Sequence, residues 1–216
     1  MNSQLEDIKL YRMTHIENIP HILQHGIAHK NSKFANAEYK NIGDFSLISA
    51  RERKTINITN GNNNIIKTII LGDFIPFYFN VKMPMLYVIQ HGGNFTTKTS
   101  SSDIVYLVCS LYKIVQLDNI ECYFCDGHAT DNLTTFYDSS FIKQIGNIID
   151  WTAVTSQYWG GENNLEVKRK KQAEFLVKGD LPVEVIEYFI CYDEIAEEKL
   201  KKFGVKSIRI DKNAYY

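Results

Sequence analysis

Residues 168–177, KRKKQAEFLV, join a run of cations to an apolar segment whose pattern predicts a buried strand. We interpret the cationic part as solvated. Glu174 lies at the junction, where an apolar floor on one side and positive charge on the other favour an ionised carboxylate held for chemistry. The alternative is an ordinary strand edge with a charged shoulder. The rest of the chain has to decide between them.

Composition sets the broad class. The chain has 216 residues, of which 44% are hydrophobic and 12% aromatic, enough to bury a core. Its formal charge of -1 excludes a general basic nucleic-acid binder, so any such contact must use a local patch, for which Lys168 and Arg169 are the candidates. There is no run of 18 apolar residues, and residues 1–7 do not resemble a signal peptide, so we expect a cytoplasmic protein without a membrane span.

Short strands and helices alternate along the chain. Residues 8–13 alternate apolar and polar positions as a strand does, and a helix closed by Gly26 follows. Residues 28–64 are polar and aperiodic apart from a short helix over 42–51, and the sequence NGNNN at 60–64 predicts a turn or mobile loop. We predict one α+β domain spanning residues 1–216. Its further predicted strands are 72–80 (with Pro76 at an edge or bulge), 104–109, 121–125, 185–192 and 206–210, and its further predicted helices are 110–115, 141–150 and 193–202.

The first strand ends in a polar corner. Arg12, Met13, Thr14 and His15 stand where the strand turns into the first helix. Such a corner leaves free backbone N–H groups and polar side chains that point into a cleft. On spacing alone, the favoured interpretation of His15 is a histidine that caps the helix or packs in the core.

One cysteine pair has the spacing of a metal site. Cys122 and Cys125 form a C-x-x-C with His128 close behind. A structural zinc needs four ligands, and only Cys109 and Cys191, both in strand-like runs, are left to complete the set. We therefore prefer a strand whose two cysteines face opposite sides, and reduced core cysteines without a metal.

Several segments in this order resemble the DarT family, the DNA ADP-ribosyltransferase toxins of bacterial toxin–antitoxin pairs, and its thymidine-modifying branch most closely. The PFYF and QAE pieces are weak patterns alone, but their order and spacing are specific. The similarity extends over nearly the whole chain. The matching segments are LYRMTHIENIPHILQHGI at 10–27, ISAR at 48–51, GDFIPFYFNVKMPMLY at 72–87, DGHAT at 126–130, TTFYD at 134–138, KKQAEFLV at 170–177, and Tyr215-Tyr216.

The resemblance implies a reaction and a fold. The family transfers ADP-ribose from NAD to a base in single-stranded DNA, releases nicotinamide, uses no metal, and is neutralised by a DarG-type macrodomain antitoxin. Its fold is an ADP-ribosyltransferase fold with a split, twisted β core around the NAD cleft and short flanking helices. On this chain the resemblance implies that the corner Arg12-Met13-Thr14-His15 and Arg51 bind NAD.

The resemblance also implies residue roles. Arg51 and Glu174 match the catalytic arginine and glutamate of the family, and His128 matches a histidine beside the DNA path. Gly127 departs from the pattern, because the family often carries arginine there, so the DNA sequence preference is not transferable. From the residues themselves, Tyr158 and Trp159 are candidates to stack on an unpaired base, with core packing as the alternative for Trp159.

Two other functions share these features. A protein-modifying ADP-ribosyltransferase would use the same cleft with a protein acceptor. A non-enzymatic single-strand binder would bind oligonucleotide without releasing nicotinamide, and the low net charge argues against it.

Overall fold

The computed structural model describes residues 3–59, 64–93 and 95–216. Its helices are short and flank a mixed β-sheet. The helices are α1 (Ser3–Asp7), α2 (Ile19–His25), α3 (Phe45–Arg53), α4 (Pro84–His91), α5 (Leu111–Val115), α6 (Ile145–Ile148), α7 (Trp151–Thr155), α8 (Leu165–Lys171) and α9 (Glu194–Lys202). The strands are β1 (Lys9–His15), β2 (Thr55–Thr59), β3 (Ile65–Ile70), β4 (Phe74–Tyr78), β5 (Ile104–Ser110), β6 (Cys122–Cys125), β7 (Phe136–Asp138), β8 (Glu174–Lys178), β9 (Ile186–Cys191) and β10 (Ile208–Ile210).

The large sheet is split in its middle. Its strand order is β10-β9-β5-β1-β4-β8-β6-β7, with β9 and β10 parallel and the other pairs antiparallel. β1 pairs with β5 along its whole length but meets β4 at one position, Tyr11 opposite Tyr78. The two halves therefore diverge and leave a cleft. The predicted α+β class with a split β core is confirmed.

Pro76 lies in β4 where this strand has diverged from β1. Its carbonyl accepts from the Arg12 guanidinium across the divergence, at 3.0 Å, instead of joining a ladder. A proline, which has no N–H to donate, fits this side of the strand because no β1 partner is present there. β4 lies inside the sheet order and pairs regularly with β8, so the predicted edge or bulge at Pro76 is wrong.

Apolar side chains fill both faces of the sheet. β5 is buried at every position, as the sequence IVYLVCS suggests for a strand covered on both sides. Cys122 belongs to the main core and Cys125 to a second cluster beneath the β2–β3 pair, so the two cysteines do face opposite sides. All four cysteines are free and buried.

The structure differs from the predictions over residues 141–150 and over the two strands β2 and β3. The helix expected over 141–150 is a 3-10 segment, Ser139–Gln144, followed by α6. Asp150 does not end a helix but begins one, because its side chain accepts from the Ala153 N–H at the start of α7. The β2–β3 pair was not predicted, and the loop expected at 60–64 lies mostly outside the described residues.

The structure of residues 168–177 also differs from the prediction. Residues 168–171 belong to α8, and Arg169 and Lys171 are buried rather than solvated. β8 lies between β4 and β6, so Glu174 is not at a strand edge. Within residues 3–59, 64–93 and 95–216, no helix has the length and apolar character to span a bilayer. No three metal-ligating side chains converge within those same ranges.

Candidate active site

Glu174 is the buried centre of the cleft. It opens β8, opposite Tyr78 of β4 on one side and Cys125 of β6 on the other, and its side chain is 0% exposed. Its Oε1 accepts from the backbone N–H of Ala129 at 3.1 Å. Both carboxylate oxygens accept from Nη1 of Arg51, at 3.1 and 2.8 Å. The carboxylate is thus fixed by three charge-assisted or backbone bonds.

Arg51 reaches Glu174 from the last turn of α3. The helix starts at Asp44, whose side chain accepts from the N–H groups of Ser46 and Leu47, and it packs tightly against Gly72. A Cβ on Gly72 would lie 2.7 Å from the Cα of Glu52, so this close approach requires glycine. Nη2 of Arg51 is buried and has no hydrogen-bond partner within residues 3–59, 64–93 and 95–216. A buried donor of this kind is costly unless a ligand accepts from it.

A cavity of about 340 Å³ opens beside this ion pair. Arg12, Met13, Arg51, Tyr78 and His128 are among the residues that line it. Burial, and next the charge of Glu174, raise the pKa of Tyr78, so its hydroxyl stays protonated. Beside the fixed carboxylate of Glu174, the cavity therefore presents the Arg51 guanidinium, the neutral hydroxyl of Tyr78 and the neutral imidazole of His128.

His128 lies in the loop between β6 and β7. Its Nδ1 shares a 3.0 Å hydrogen bond with the Thr130 hydroxyl, and its N–H donates to the Arg169 carbonyl at 2.9 Å. Burial lowers the pKa of His128 below its usual 6.5 more than the charge of Glu174 raises it, so the imidazole is neutral at neutral pH.

Comparison with known proteins identifies the family of this chain. Residues 11–216 match the family model described as "ssDNA thymidine ADP-ribosyltransferase, DarT". The chain belongs to the DarT family. A DNA ADP-ribosyl transferase of Thermus sp. (strain 2.9) is 30% identical over 91% of this chain and 87% of its own length. One from Escherichia coli O127:H6 is 29% identical over 90% of this chain and 84% of its own length.

Solved DarT structures share the whole fold. Thermus sp. 2.9 DarT in complex with ADP-ribosylated ssDNA superposes with a TM-score of 0.78, at 27% identity, covering 98% of this chain and 97% of that one. The same Thermus protein in complex with NAD+ gives a TM-score of 0.74 at 25% identity, covering 98% of both chains. The chain is therefore a DarT-type DNA ADP-ribosyltransferase that uses NAD as a substrate.

The β1 corner of this DarT divides between two cavities. Arg12 and Met13 line the main cavity, whereas Thr14 lines a second cavity of about 180 Å³ beside it. His15 is not among the residues lining either one. Its Nδ1 accepts from the Glu17 N–H and caps the 3-10 turn after β1, which is the alternative raised from the sequence. The NAD contacts of these four residues stay predictions.

A buried asparagine fixes the loop around Lys40, which lies beside both cavities. Asn18 is 1% exposed and holds the backbone of Lys40 through two 2.9 Å bonds, one to its carbonyl and one from its N–H. Its amide also donates to the Thr14 hydroxyl at 2.9 Å. This clamp places the neighbouring Tyr39, which lines both cavities. Sequence reasoning named neither Asn18 nor Tyr39.

The predicted DNA contacts have different settings. Tyr158 is 84% exposed and free to stack. Trp159 is half-buried, donates to the Tyr216 hydroxyl at 2.6 Å and lies 5.6 Å from the exposed ammonium of Lys168, measured to the ring centroid. Arg169 is 8% exposed and engaged by neighbouring side chains, so this geometry does not support its predicted DNA contact. The DNA contacts of the other residues stay predictions.

Proposed function

We propose that Glu174 and Arg51 are the catalytic pair with which this DarT transfers ADP-ribose from NAD to thymidine in single-stranded DNA. The observation that carries the proposal is the buried Glu174–Arg51 ion pair, in which Nη2 of Arg51 has no hydrogen-bond partner among the residues that the structure describes. The family description and the Thermus complexes with NAD+ and ADP-ribosylated ssDNA support the substrates.

Glu174 stabilises the cation that forms on the ribose. Breaking the bond between nicotinamide and C1 of the ribose builds positive charge on the sugar, as in glycoside cleavage. A carboxylate can accept a hydrogen bond from a ribose hydroxyl and stabilise that charge, and it is worth most when it is already oriented and shielded from water. The bonds from Ala129 and Arg51 provide this orientation.

Arg51 acts as a cation rather than as a base. The attacking thymine nitrogen must lose its proton, and the ring then carries negative charge. Arginine stays protonated in proteins, so it is a poor proton acceptor but a good partner for an anion. In our proposal Nη2 of Arg51 donates to the thymine, and the neutral imidazole of His128, which lines the same cavity, accepts the proton.

The two cavities adjoin each other, and in our proposal NAD occupies both. They share Arg12, Lys30 and Tyr39 along their common border. The reacting nicotinamide ribose fits the main cavity beside Glu174, and the adenosine end fits the second one. The cations Arg12 and Lys30 between them suit the pyrophosphate.

Replacement of Asn18 is expected to weaken NAD binding. Asn18→Ala removes both bonds to Lys40, so this loop and Tyr39 lose their fixed position. Losing hydrogen bonds of this kind costs about 1–3 kcal/mol, so KM for NAD should rise about tenfold or more while kcat changes less. Steady-state kinetics against NAD, with Asn213→Ala as an asparagine control outside the cavities, measure this. An unchanged KM would contradict the role of the clamp.

Duplex DNA is expected to react far more slowly than the same strand alone. A thymine nitrogen engaged in base pairing is unavailable for attack, and extracting the base costs a few kcal/mol. Rates on one labelled oligonucleotide, before and after annealing its complement, test this. Equal rates would show that the acceptor is not an unpaired base.

The acceptor is tested directly with labelled NAD. Incubation with an oligonucleotide, and separately with a nuclease-treated lysate, distinguishes DNA from protein as the acceptor, and nicotinamide release distinguishes the enzyme from a simple DNA binder. Mass spectrometry of oligonucleotides in which one base type is changed at a time identifies the base. Transfer that persists without thymidine would contradict the thymidine assignment.

A fused relative supports the expected antitoxin. A Thermosipho africanus protein named as a DNA ADP-ribosyl transferase–glycohydrolase fusion is 30% identical over 90% of this chain, and the match spans 45% of the fusion's length. A DarG-type macrodomain partner that reverses the modification therefore suits this chain. A bacterial cytoplasmic location, where such DNA is found, also remains part of the proposal.

A further inference from the structure

Arg169 is a buried cation, and each of its three guanidinium nitrogens donates to a neighbouring side chain. It donates from Nε and Nη2 to the two oxygens of Glu166, at 3.0 and 2.7 Å. From Nη1 it donates to Asp126 Oδ1 at 3.2 Å and to the Thr134 hydroxyl at 3.3 Å. Such a bidentate pair with two further acceptors fixes the planar group in one place.

The loop of residues 126–134 is folded around this side chain. The Arg169 carbonyl accepts from the His128 N–H at 2.9 Å. Gly127 faces the guanidinium, and a Cβ there would lie 2.4 Å from Nη1 of Arg169 and 3.0 Å from Oγ1 of Thr134. Glycine is needed here for space, and the arginine occupies the volume that a side chain would fill.

The same loop holds the carboxylate of Glu174. Ala129, two residues after Gly127, gives Glu174 its backbone hydrogen bond of 3.1 Å. Thr134, which Arg169 contacts, also donates its hydroxyl to the His128 carbonyl at 2.8 Å. A shift of the arginine would therefore move the donor of Glu174 and the ring of His128 together.

We infer that Arg169 is a positioning residue for Glu174 and His128, and not a contact for DNA. This inference rests on the proposed role of Glu174. The guanidinium of Arg169 holds the 126–134 loop in place from the inside. The Ala129 N–H and the His128 imidazole therefore have the orientation that transfer requires. Misplacement of reacting groups by about 1 Å costs on the order of 100-fold in rate.

Two single variants and their combination test the inference. Arg169→Ala removes the anchor, and Gly127→Ala displaces it by steric overlap while keeping its charge. Each is expected to lower kcat at saturating NAD and DNA on the order of 100-fold, with the dissociation constant for NAD changed less than threefold. In the double variant the overlap with Arg169 is gone and the 3.0 Å contact with Thr134 Oγ1 remains, so Gly127→Ala should add less than threefold to the effect of Arg169→Ala. Full multiplication of the two effects would overturn the inference.

Salt dependence separates positioning from DNA contact. If Arg169 contacted a phosphate, Arg169→Ala would weaken oligonucleotide binding, reduce the salt slope by about 1, and be rescued by excess DNA. We expect an unchanged slope and no rescue. Arg209→Ala removes an arginine that instead covers Tyr188 at the opposite end of the sheet, and it should change neither the salt slope nor the rate at excess DNA.

Folding and catalysis are distinguished in the same set. Circular dichroism and thermal unfolding must show that the variants are folded at the assay temperature. If Arg169→Ala is unfolded, Gly127→Ala alone tests the inference. A kcat of Gly127→Ala equal to that of the unchanged protein would then overturn it. If Glu174→Gln is fully active, the proposed function fails. If Glu174→Gln is impaired and Gly127→Ala is not, only the positioning role fails.

Discussion

Glu174→Gln is expected to lower the single-turnover rate of ADP-ribose transfer by about 10²- to 10³-fold, the usual loss when one fixed electrostatic group is removed. The amide keeps the size of the side chain and can still accept from the Ala129 N–H, but it has no charge to stabilise the ribosyl cation. The measurement is rapid-quench transfer to a thymidine-containing oligonucleotide. A rate near that of the unchanged protein would remove Glu174 from the catalytic pair.

Glu174→Ala should show the same kinetic loss together with a loss of stability. The strand edge that was the alternative from the sequence would tolerate alanine, but Glu174 is 0% exposed inside the sheet. The truncation leaves the Arg51 charge and the Ala129 N–H without their acceptor. An unpaired buried group costs about 1–3 kcal/mol. Denaturant unfolding of the two variants therefore separates the chemical role, common to both, from the structural one.

Local signals predicted the elements that have clear ends. The β1–α2 unit was recognised because its alternation changes to helical spacing and Gly26, with a φ of 75°, closes the helix. Asp193 likewise caps α9 through the Ala196 N–H. The β2–β3 pair was missed although Ile56 and Ile58 alternate with exposed residues, because its polar surroundings were taken for an irregular loop.

The site could be predicted from the sequence only in part, because its two central residues are far apart along the chain. Arg51 and Glu174 are 123 residues apart, and only the resemblance to the DarT family brought them together before the structure was known. From the sequence alone, the adjacent cationic run was assigned as the source of positive charge. In the structure Arg169 pairs with Glu166 and Asp126, and Lys171 donates to the Val154 carbonyl, so their charges are used elsewhere.

The largest remaining question of mechanism concerns Arg51. Arg51→Ala is expected to lose most of the activity, because it removes the partner of the buried Glu174 carboxylate as well as the free Nη2 donor. Arg51→Lys retains the charge but has one nitrogen where two are needed. We therefore expect the lysine variant to keep part of the activity. Arg53→Ala, an exposed arginine in the same helix, is the matched control and should transfer normally.

The pH dependence of Arg51→Lys distinguishes an electrostatic role from a proton-accepting one. If Arg51 only supplies charge, the deficit of the lysine variant should stay constant as the pH rises, for as long as the lysine is protonated. If Arg51 is the proton acceptor, lysine becomes the better base with rising pH and its rate recovers toward that of the unchanged protein. Single-turnover rates across pH, with NAD affinity measured alongside, decide between the two.

The protonation of His128 determines how the transfer rate of the unchanged protein is expected to depend on pH. Because burial lowers its pKa below 6.5, the imidazole accepts protons throughout the neutral and alkaline range, and the rate of the unchanged protein should fall only on acidification below that value. His128→Gln should be slower and should lose that acidic fall. A steep alkaline recovery of Arg51→Lys, with unchanged NAD binding and a flat reference curve, would instead make Arg51 the proton acceptor and leave His128 without that role.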